Sequence, residues 1–129
     1  MSNENVLWGR LLFYWLPVVL YGGLIFYLSS LSIPHFRSPF PFYDKVIHAI
    51  EYAIFAILLY RALHTSLQTP FVRLTGVLVV LFCILYGMVD EYHQSFVPTR
   101  ISDLYDLMAD TTGAILGILW VSLKNRRIG

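Results

Sequence analysis

Four long apolar stretches follow one another along the chain, and the charged residues gather in the short segments between them. The first stretch is uncharged from Leu11 to Leu28 and continues through Ser29 and Ser30. At about 1.5 Å of rise per residue, a helix of this length crosses a hydrocarbon core of about 30 Å. Because the stretch carries bulky aromatic residues and lacks a small-x-small cleavage site, we interpret it as an uncleaved spanning helix and not as a signal peptide.

The other three stretches have charged residues only near their ends, which is typical of further spanning helices. We place the four helices at about 8–30, 44–63, 70–94 and 103–123. Gly22 and Gly23 in the first helix permit a neighbour to approach closely. The pattern therefore predicts an all-α fold, a polytopic membrane protein in which a bundle of four transmembrane helices forms a single domain over residues 1–129.

Composition supports a membrane protein and excludes other classes. Of the 129 residues, 57% are hydrophobic and only 13% are charged, more apolar surface than a small soluble domain can bury. The net charge of +1 is too small to favour nucleic-acid binding. The single cysteine, Cys83, excludes an intramolecular disulfide and a multi-cysteine metal site.

Lysine and arginine residues divide unequally between the two faces that four spans create. Six lie on the face of the chain termini and three on the other, and an excess of basic residues favours the cytoplasmic side. We therefore expect both termini to be cytoplasmic, in the plasma (bacterial inner) membrane. The six are Arg10, Arg61, Arg73, Lys124, Arg126 and Arg127, and the three are Arg37, Lys45 and Arg100.

Polar and ionisable residues converge on the face opposite the termini, where the second and fourth helices begin and the third ends. Asp44, His48 and Glu51 are spaced by four and three residues, so they project from one side of the second helix. The fourth helix carries a similar stripe of Asp103, Asp106 and Asp110, which Gly113 and Gly117 continue inward as a small-residue face.

The third helix contributes Asp90 and Gln94, which share one side, with His93 flanking it. Glu91 is rotated by about a quarter turn from that side at 3.6 residues per turn. We therefore expect Asp90, His93 and Gln94 to point inward and Glu91 to be turned away.

Two interpretations of this convergence remain open. Glu51 and Asp110 lie about two turns inside their helices, where carboxylates are costly against lipid, so they can line a wet pocket. Alternatively, Lys45 and Arg100 neutralise nearby carboxylates, and the polar residues only hold the helix ends together.

A pocket of this composition supports two functions of different class. The first is an intramembrane enzyme acting on a lipid headgroup or cell-envelope precursor at the outer face, by acid–base chemistry or by metal-assisted hydrolysis or transfer. The second is a non-catalytic protein that binds a lipid, an antibiotic or a proton. The spacing of two histidines four apart on one helix is missing, so a divalent cation is only a weak expectation and the cofactor stays unknown. For the enzyme we assign His48, Glu51, Asp90, His93 and Asp106 to catalysis, and Lys45, Gln94, Arg100 and Asp110 to substrate binding.

The chain resembles the VanZ-like membrane proteins from the Ser29-Ser30 pair to Gly117. Thr99 stands where the family pattern commonly has glycine, and Asp110 where it usually has asparagine. The resemblance implies a cell-envelope role, since the founding member is associated with resistance to the glycopeptide teicoplanin, and a lipid-linked or glycopeptide ligand. Its carriers are Asp44-Lys45, His48, Tyr86-Gly87, Asp90-Glu91, His93-Gln94, Phe96-Val97-Pro98, Arg100, Asp106 and Gly113.

Overall fold

The structure, a computed structural model, describes residues 3–32, 40–67 and 72–128. They form four helices: α1 (Asn3–Ser30), α2 (Tyr43–Leu67), α3 (Val72–Gln94) and α4 (Leu104–Ile128). Each is long and apolar enough to cross a membrane, which confirms the predicted all-α bundle of four transmembrane helices. Arg37, the side chain of Arg127 and the predicted start of the third helix at residue 70 lie outside the described residues.

Three helices extend beyond the apolar stretches that predicted them, and α1 already begins at Asn3, ahead of the expected start near residue 8. α2 continues to Leu67 and α4 to Ile128, past the expected ends near residues 63 and 123. The added turns include His64 on α2 and Lys124 on α4. Backbone hydrogen bonds within a helix do not depend on apolar side chains, so a helix can continue into the polar interface where the hydropathy signal stops.

The most extensive packing in the bundle is between α2 and α4. Gly113 and Gly117 of α4 lie against the backbone of Ala49 and Ala53 on α2. A Cβ atom at Gly117 would be 2.6 Å from the carbonyl oxygen of Ala53, and one at Gly113 would overlap Ala49 even more. The predicted small-residue face is thus confirmed, and it brings the polar stripes of the two helices together.

α1 packs against α2 and, less extensively, against α3. The ring of Phe55 on α2 contacts Gly22 of α1, where a Cβ atom would lie 3.4 Å from the ring. The hydroxyl group of Tyr86 on α3 donates a 2.6 Å hydrogen bond to the carbonyl oxygen of Gly22. Gly22 therefore lets both neighbours reach the backbone of α1, whereas Gly23 faces open space.

The connection between α3 and α4 folds tightly over the end of the bundle. The Arg100 amide donates to the carbonyl oxygen of Val97, and Thr99 adopts a positive φ of 71°. A β-branched residue rarely takes this left-handed conformation, which explains why glycine suits this position. Asp103 then starts α4 by accepting a 2.9 Å hydrogen bond from the Tyr105 amide.

Candidate functional site

Lys45 lies at the start of α2 and is surrounded by carboxylates. Its Nζ atom is 2.9 Å from Asp44, 2.9 Å from Asp103 and 2.5 Å from Asp106. The hydrogen bond from Lys45, followed by that from the Tyr105 amide, holds the pKa of Asp103 below its ordinary value. Lys45 therefore joins the beginnings of α2 and α4, and its charge is already matched by these acids.

His48, one turn further along α2, reaches across to α4. Its Nδ1 atom is 2.9 Å from the Oδ1 atom of Asp110, whose side chain is 1% exposed. The Nε2 atom of His48 is 4.0 Å from Asp106. Of the polar stripe predicted on α2, His48 thus meets the stripe of α4, whereas the other contacts between the two helices come from Lys45, which was not part of the predicted stripe.

Asp90, near the end of α3, is held by two neighbours. Its Oδ1 atom is 2.6 Å from the hydroxyl group of Ser29 on α1, and its Oδ2 atom accepts a 3.0 Å hydrogen bond from Gln94. Asp90 and Gln94 are each 2% exposed, so the expectation that both point inward is confirmed. Sequence reasoning did not assign a role to Ser29. The position of the Ser29-Ser30 pair at the end of an apolar helix could have indicated that its hydroxyl groups bind polar side chains of a neighbouring helix.

A cavity of about 610 Å³ lies between α1, α2, α3 and the α3–α4 connection. Its lining combines the apolar side chains of Ile25, Leu28, Leu31 and Ile47 with polar ones. The polar lining comprises Ser29, Tyr43, Asp44, His48, Glu51, Asp90, Gln94, Thr99 and Arg100. Five of the residues assigned from sequence therefore meet in one cavity: His48, Glu51, Asp90, Gln94 and Arg100.

Glu51 differs from the other carboxylates of the cavity. Asp44 pairs with Lys45, and Asp90 is bound by Ser29 and Gln94. Glu51 is half-buried and has neither a hydrogen bond nor an ion pair within the described part of the chain. Its carboxylate is therefore available to a molecule that enters the cavity.

Arg100 closes the cavity from the α3–α4 connection. Its Nε atom donates to the carbonyl oxygen of Leu31 at 3.2 Å, and one terminal nitrogen donates to that of Leu28 at 3.1 Å. These bonds tie the connection to the end of α1, where the last carbonyl groups of a helix need donors. A guanidinium group has five N–H donors, so some remain for an anionic group in the cavity.

His93 does not line this cavity. The structure places it against α1, where Nε2 is 2.8 Å from the hydroxyl group of Ser30 and the ring stacks on Phe26 at 4.2 Å. The side of α3 that carries His93 thus packs on α1, which separates it from His48 and Glu51.

Glu91 is buried, which corrects the expectation that it is turned away. It is 6% exposed, and its Oε2 atom accepts a 3.0 Å hydrogen bond from the Asp103 amide. α3 packs against α4 on one side and against α1 and α2 on another, so its buried arc is wider than one stripe. Potential metal-ligand atoms of Glu91, His48 and Asp110 all lie within 4.8 Å of one another.

Comparison with known protein sequences places the chain in a family. A match of 28% identity over 89 residues links the chain to uncharacterized protein C11E3.10 of Schizosaccharomyces pombe, covering 69% of this chain and 52% of that relative. The match thus extends over about half the length of the yeast protein. No solved structure matches the chain significantly. The sequence profile of the VanZ/LLP1 family matches residues 5–125, and the chain therefore belongs to the VanZ/LLP1 family.

Proposed function

We propose that this protein is a membrane enzyme that acts on the headgroup of a lipid or lipid-linked precursor, with Glu51 as the group that transfers the proton. The observation that carries the proposal is the unpartnered Glu51 carboxylate facing a cavity of about 610 Å³. A general acid or base must be free to reach the reacting group of a substrate. Glu51 meets this requirement, whereas the other acids of the cavity are engaged with protein partners.

The lining of the cavity supports a lipid as the substrate. Ile25, Leu28 and Ile47 contribute apolar side chains to the same lining as the carboxylates and Arg100. A lipid headgroup joined to an acyl or isoprenoid chain likewise combines a polar and an apolar part. The free donors of Arg100 suit a phosphate or carboxylate of the headgroup, and Gln94 lies beside it in the cavity.

The proposed setting is the outer face of the plasma (bacterial inner) membrane, with both termini cytoplasmic. The unequal division of lysine and arginine supports this orientation. Membership of the VanZ/LLP1 family supports a cell-envelope role, and glycopeptide resistance would follow from altered envelope lipids. The yeast relative favours a lipid over a peptidoglycan-specific substrate, because fungi have membrane lipids but no peptidoglycan.

The orientation can be tested with cysteines and a membrane-impermeant maleimide. Ser102→Cys lies on the cavity face and Asn125→Cys on the opposite face, and both positions are exposed. Native Cys83 is fully buried and serves as the unlabelled internal control. We expect intact cells to label Ser102→Cys alone, and labelling of Asn125→Cys alone would reverse the proposed orientation.

The second candidate function is a non-catalytic protein that binds a lipid, an antibiotic or a proton in the same cavity. The pairing of the cations favours it. Lys45 is bound by three carboxylates, His48 by Asp110 and Arg100 by two carbonyl groups. Groups held in this way can shape a binding cavity without taking part in a reaction.

An assay of headgroup release separates the two functions. The purified protein is placed in vesicles of phosphatidylethanolamine, phosphatidylglycerol and an isoprenoid diphosphate lipid, and released headgroups are measured by mass spectrometry. We expect release by the wild type, a loss of at least about 100-fold in Glu51→Gln, typical of removing a general acid or base, and no change in the control Glu4→Gln. Glu4 is exposed at the opposite end of α1.

Two results would contradict the enzyme. Equal release by Glu51→Gln and the wild type would remove Glu51 from the reaction. No release by the wild type, together with the same lipid retained by both proteins after purification, would favour the binding function. Because Glu51 has no partner to lose among the described residues, Glu51→Gln should unfold in detergent at the same temperature as the wild type.

A further inference from the structure

Three side chains from three helices meet beside the cavity. His48 projects from α2, Glu91 from α3 and Asp110 from α4, and each offers a potential ligand atom within 4.8 Å of the other two. His48 also lines the cavity, whereas Glu91 and Asp110 are not among its lining residues. The cluster therefore lies where three helices join, next to the cavity.

Two carboxylate oxygens of this cluster are buried without a partner among the described residues. Glu91 is 6% exposed and its Oε1 atom accepts no hydrogen bond, and Asp110 is fully buried with its Oδ2 atom equally unpartnered. Leaving such an oxygen unpaired in a low-dielectric interior is costly. No side chain among the described residues hydrogen-bonds to either oxygen, so a positively charged species placed between them would remove this cost.

The unpartnered oxygen of Asp110 is directed towards the side of α3 that carries Glu91. Asp110 Oδ2 lies 3.1 Å from the position that a Cβ atom would have at Gly87. Gly87 and Glu91 are four residues apart and share one side of α3. The two orphaned carboxylates consequently face the same junction between α3 and α4.

Nearby cations do not neutralise these carboxylates. Lys45 is already bound by Asp44, Asp103 and Asp106. Arg100 is tied to carbonyl groups of α1. The groups beside these carboxylates are the imidazole of His48 and two neutral hydroxyl groups, that of Ser102 near Glu91 and that of Tyr52 near Asp110. A divalent cation would offset the negative charge that neutral hydroxyl groups leave in place.

The donor set has the chemistry of a transition-metal site. One imidazole nitrogen and two carboxylate oxygens suit Zn²⁺, which takes three protein ligands and a water molecule in catalytic sites. Neighbouring ligands of a tetrahedral ion with bonds of about 2.1 Å lie about 3.4 Å apart, so the 2.9 Å hydrogen bond between His48 Nδ1 and Asp110 Oδ1 would open slightly to admit the ion. We propose that His48, Glu91 and Asp110 bind one divalent transition-metal cation at the junction of α2, α3 and α4.

This metal site does not depend on the proposed enzyme activity, since binding is measured without a substrate. The purified protein in detergent is stripped with a chelator, dialysed against ZnCl₂, and analysed for zinc per chain by mass spectrometry. We expect one zinc ion per wild-type chain and at least about a tenfold loss of affinity in Asp110→Asn. The control Asp44→Asn, which removes an exposed carboxylate outside the cluster, should bind like the wild type.

Chemical modification of the wild type provides a second measurement that does not rely on folded variants. Diethyl pyrocarbonate modifies accessible histidines, and His48 borders the cavity. Zinc should protect His48 from modification and leave His64, on the opposite end of α2, unchanged. Zinc at background level, equal loss in Asp44→Asn and Asp110→Asn, or unprotected His48 in the zinc-loaded protein would each overturn the site.

The same measurements keep this inference separate from the proposed reaction. Glu51→Gln should retain zinc even where headgroup release is lost, because Glu51 is not among the three ligands. Zinc binding without headgroup release would contradict the enzyme and support the metal site. Headgroup release that persists in the zinc-free protein, with no zinc bound on addition, would support the enzyme and contradict the metal site.

Discussion

The closest approach between α2 and α4 depends on Gly113. A Cβ atom at this position would overlap the backbone carbonyl group of Ala49. A flexible side chain could rotate away, but a helix backbone cannot move without shifting the whole helix. Gly113→Ala should therefore push α4 away from α2 and destabilise the most extensive interface of the bundle.

The loss of stability in Gly113→Ala can be estimated from the packing around the added methyl group. Overpacking a well-packed interior costs about 1–3 kcal/mol, and contact with backbone favours the upper end of that range. The matched control is Gly23→Ala, where a Cβ atom would meet nothing within 4 Å. In the control, the helix propensity of alanine should add roughly 0.5–1 kcal/mol of stability. Because the same gain in helix propensity applies to Gly113→Ala, the two variants should differ by the overpacking cost alone, near the upper end of about 1–3 kcal/mol.

The comparison can be made by unfolding both variants in detergent micelles with increasing dodecyl sulfate, followed by far-ultraviolet circular dichroism. Gly113→Ala should unfold at the lower concentration of dodecyl sulfate. Asp110 lies one turn before Gly113, and His48 is next to Ala49, so the same variant should also bind zinc less tightly. Equal unfolding midpoints for Gly113→Ala and Gly23→Ala would refute the close packing of α2 and α4 through this glycine.

Two further predictions concern the α3–α4 connection. Thr99→Gly should raise the free energy of unfolding by about 1 kcal/mol, because the left-handed conformation at φ 71° costs threonine about 1–2 kcal/mol. The variant also loses the hydrogen bond between Thr99 and Ser32, which contributes little because it is exposed to solvent. Thr99→Ala should instead be destabilised in the same unfolding measurement, and a gain in both variants would contradict this explanation. Asp103→Asn should be less stable than the wild type at neutral pH, since the carboxylate that pairs with Lys45 is lost while asparagine still caps α4. A carboxyl group whose pKa is lower in the folded protein stabilises the fold at pH values above its ordinary pKa of 3.8. This stability is lost as the pH falls through the pKa of the folded state, so the melting temperatures of Asp103→Asn and the wild type should converge below about pH 4.

Much of the fold could be predicted because a membrane helix is defined by the length and apolarity of its sequence. The Gly113 and Gly117 face was also predictable, since it continues the stripe of Asp106 and Asp110 at helical spacing. Its partner was not, because spacing along α4 does not indicate which helix approaches. The ends of α2 and α4 were underestimated for a related reason: hydropathy marks the lipid core and not the end of the helix.

The sequence predicted which residues belong to the candidate site better than it predicted how they are arranged. The sequence indicated which helix ends meet at one membrane face, and His48, Glu51 and Asp90 do border one cavity. It did not predict the orientation of α3, because a helix with three neighbours buries more than the single side that periodicity assumes. Glu91 consequently faces α4, and His93 faces α1.

Structural pairing and a functional cavity were alternatives in the sequence, and the structure contains both ion pairs that join helices and a cavity. Lys45 joins the beginnings of α2 and α4, and Arg100 ties the α3–α4 connection to α1. These contacts enclose the space in which Glu51 has no partner among the described residues. Because the charge of Lys45 is already matched by three other carboxylates, it does not offset those of Glu51, Glu91 and Asp110. The pairs that hold the helices together are therefore what leaves these acids available for a substrate and a cation.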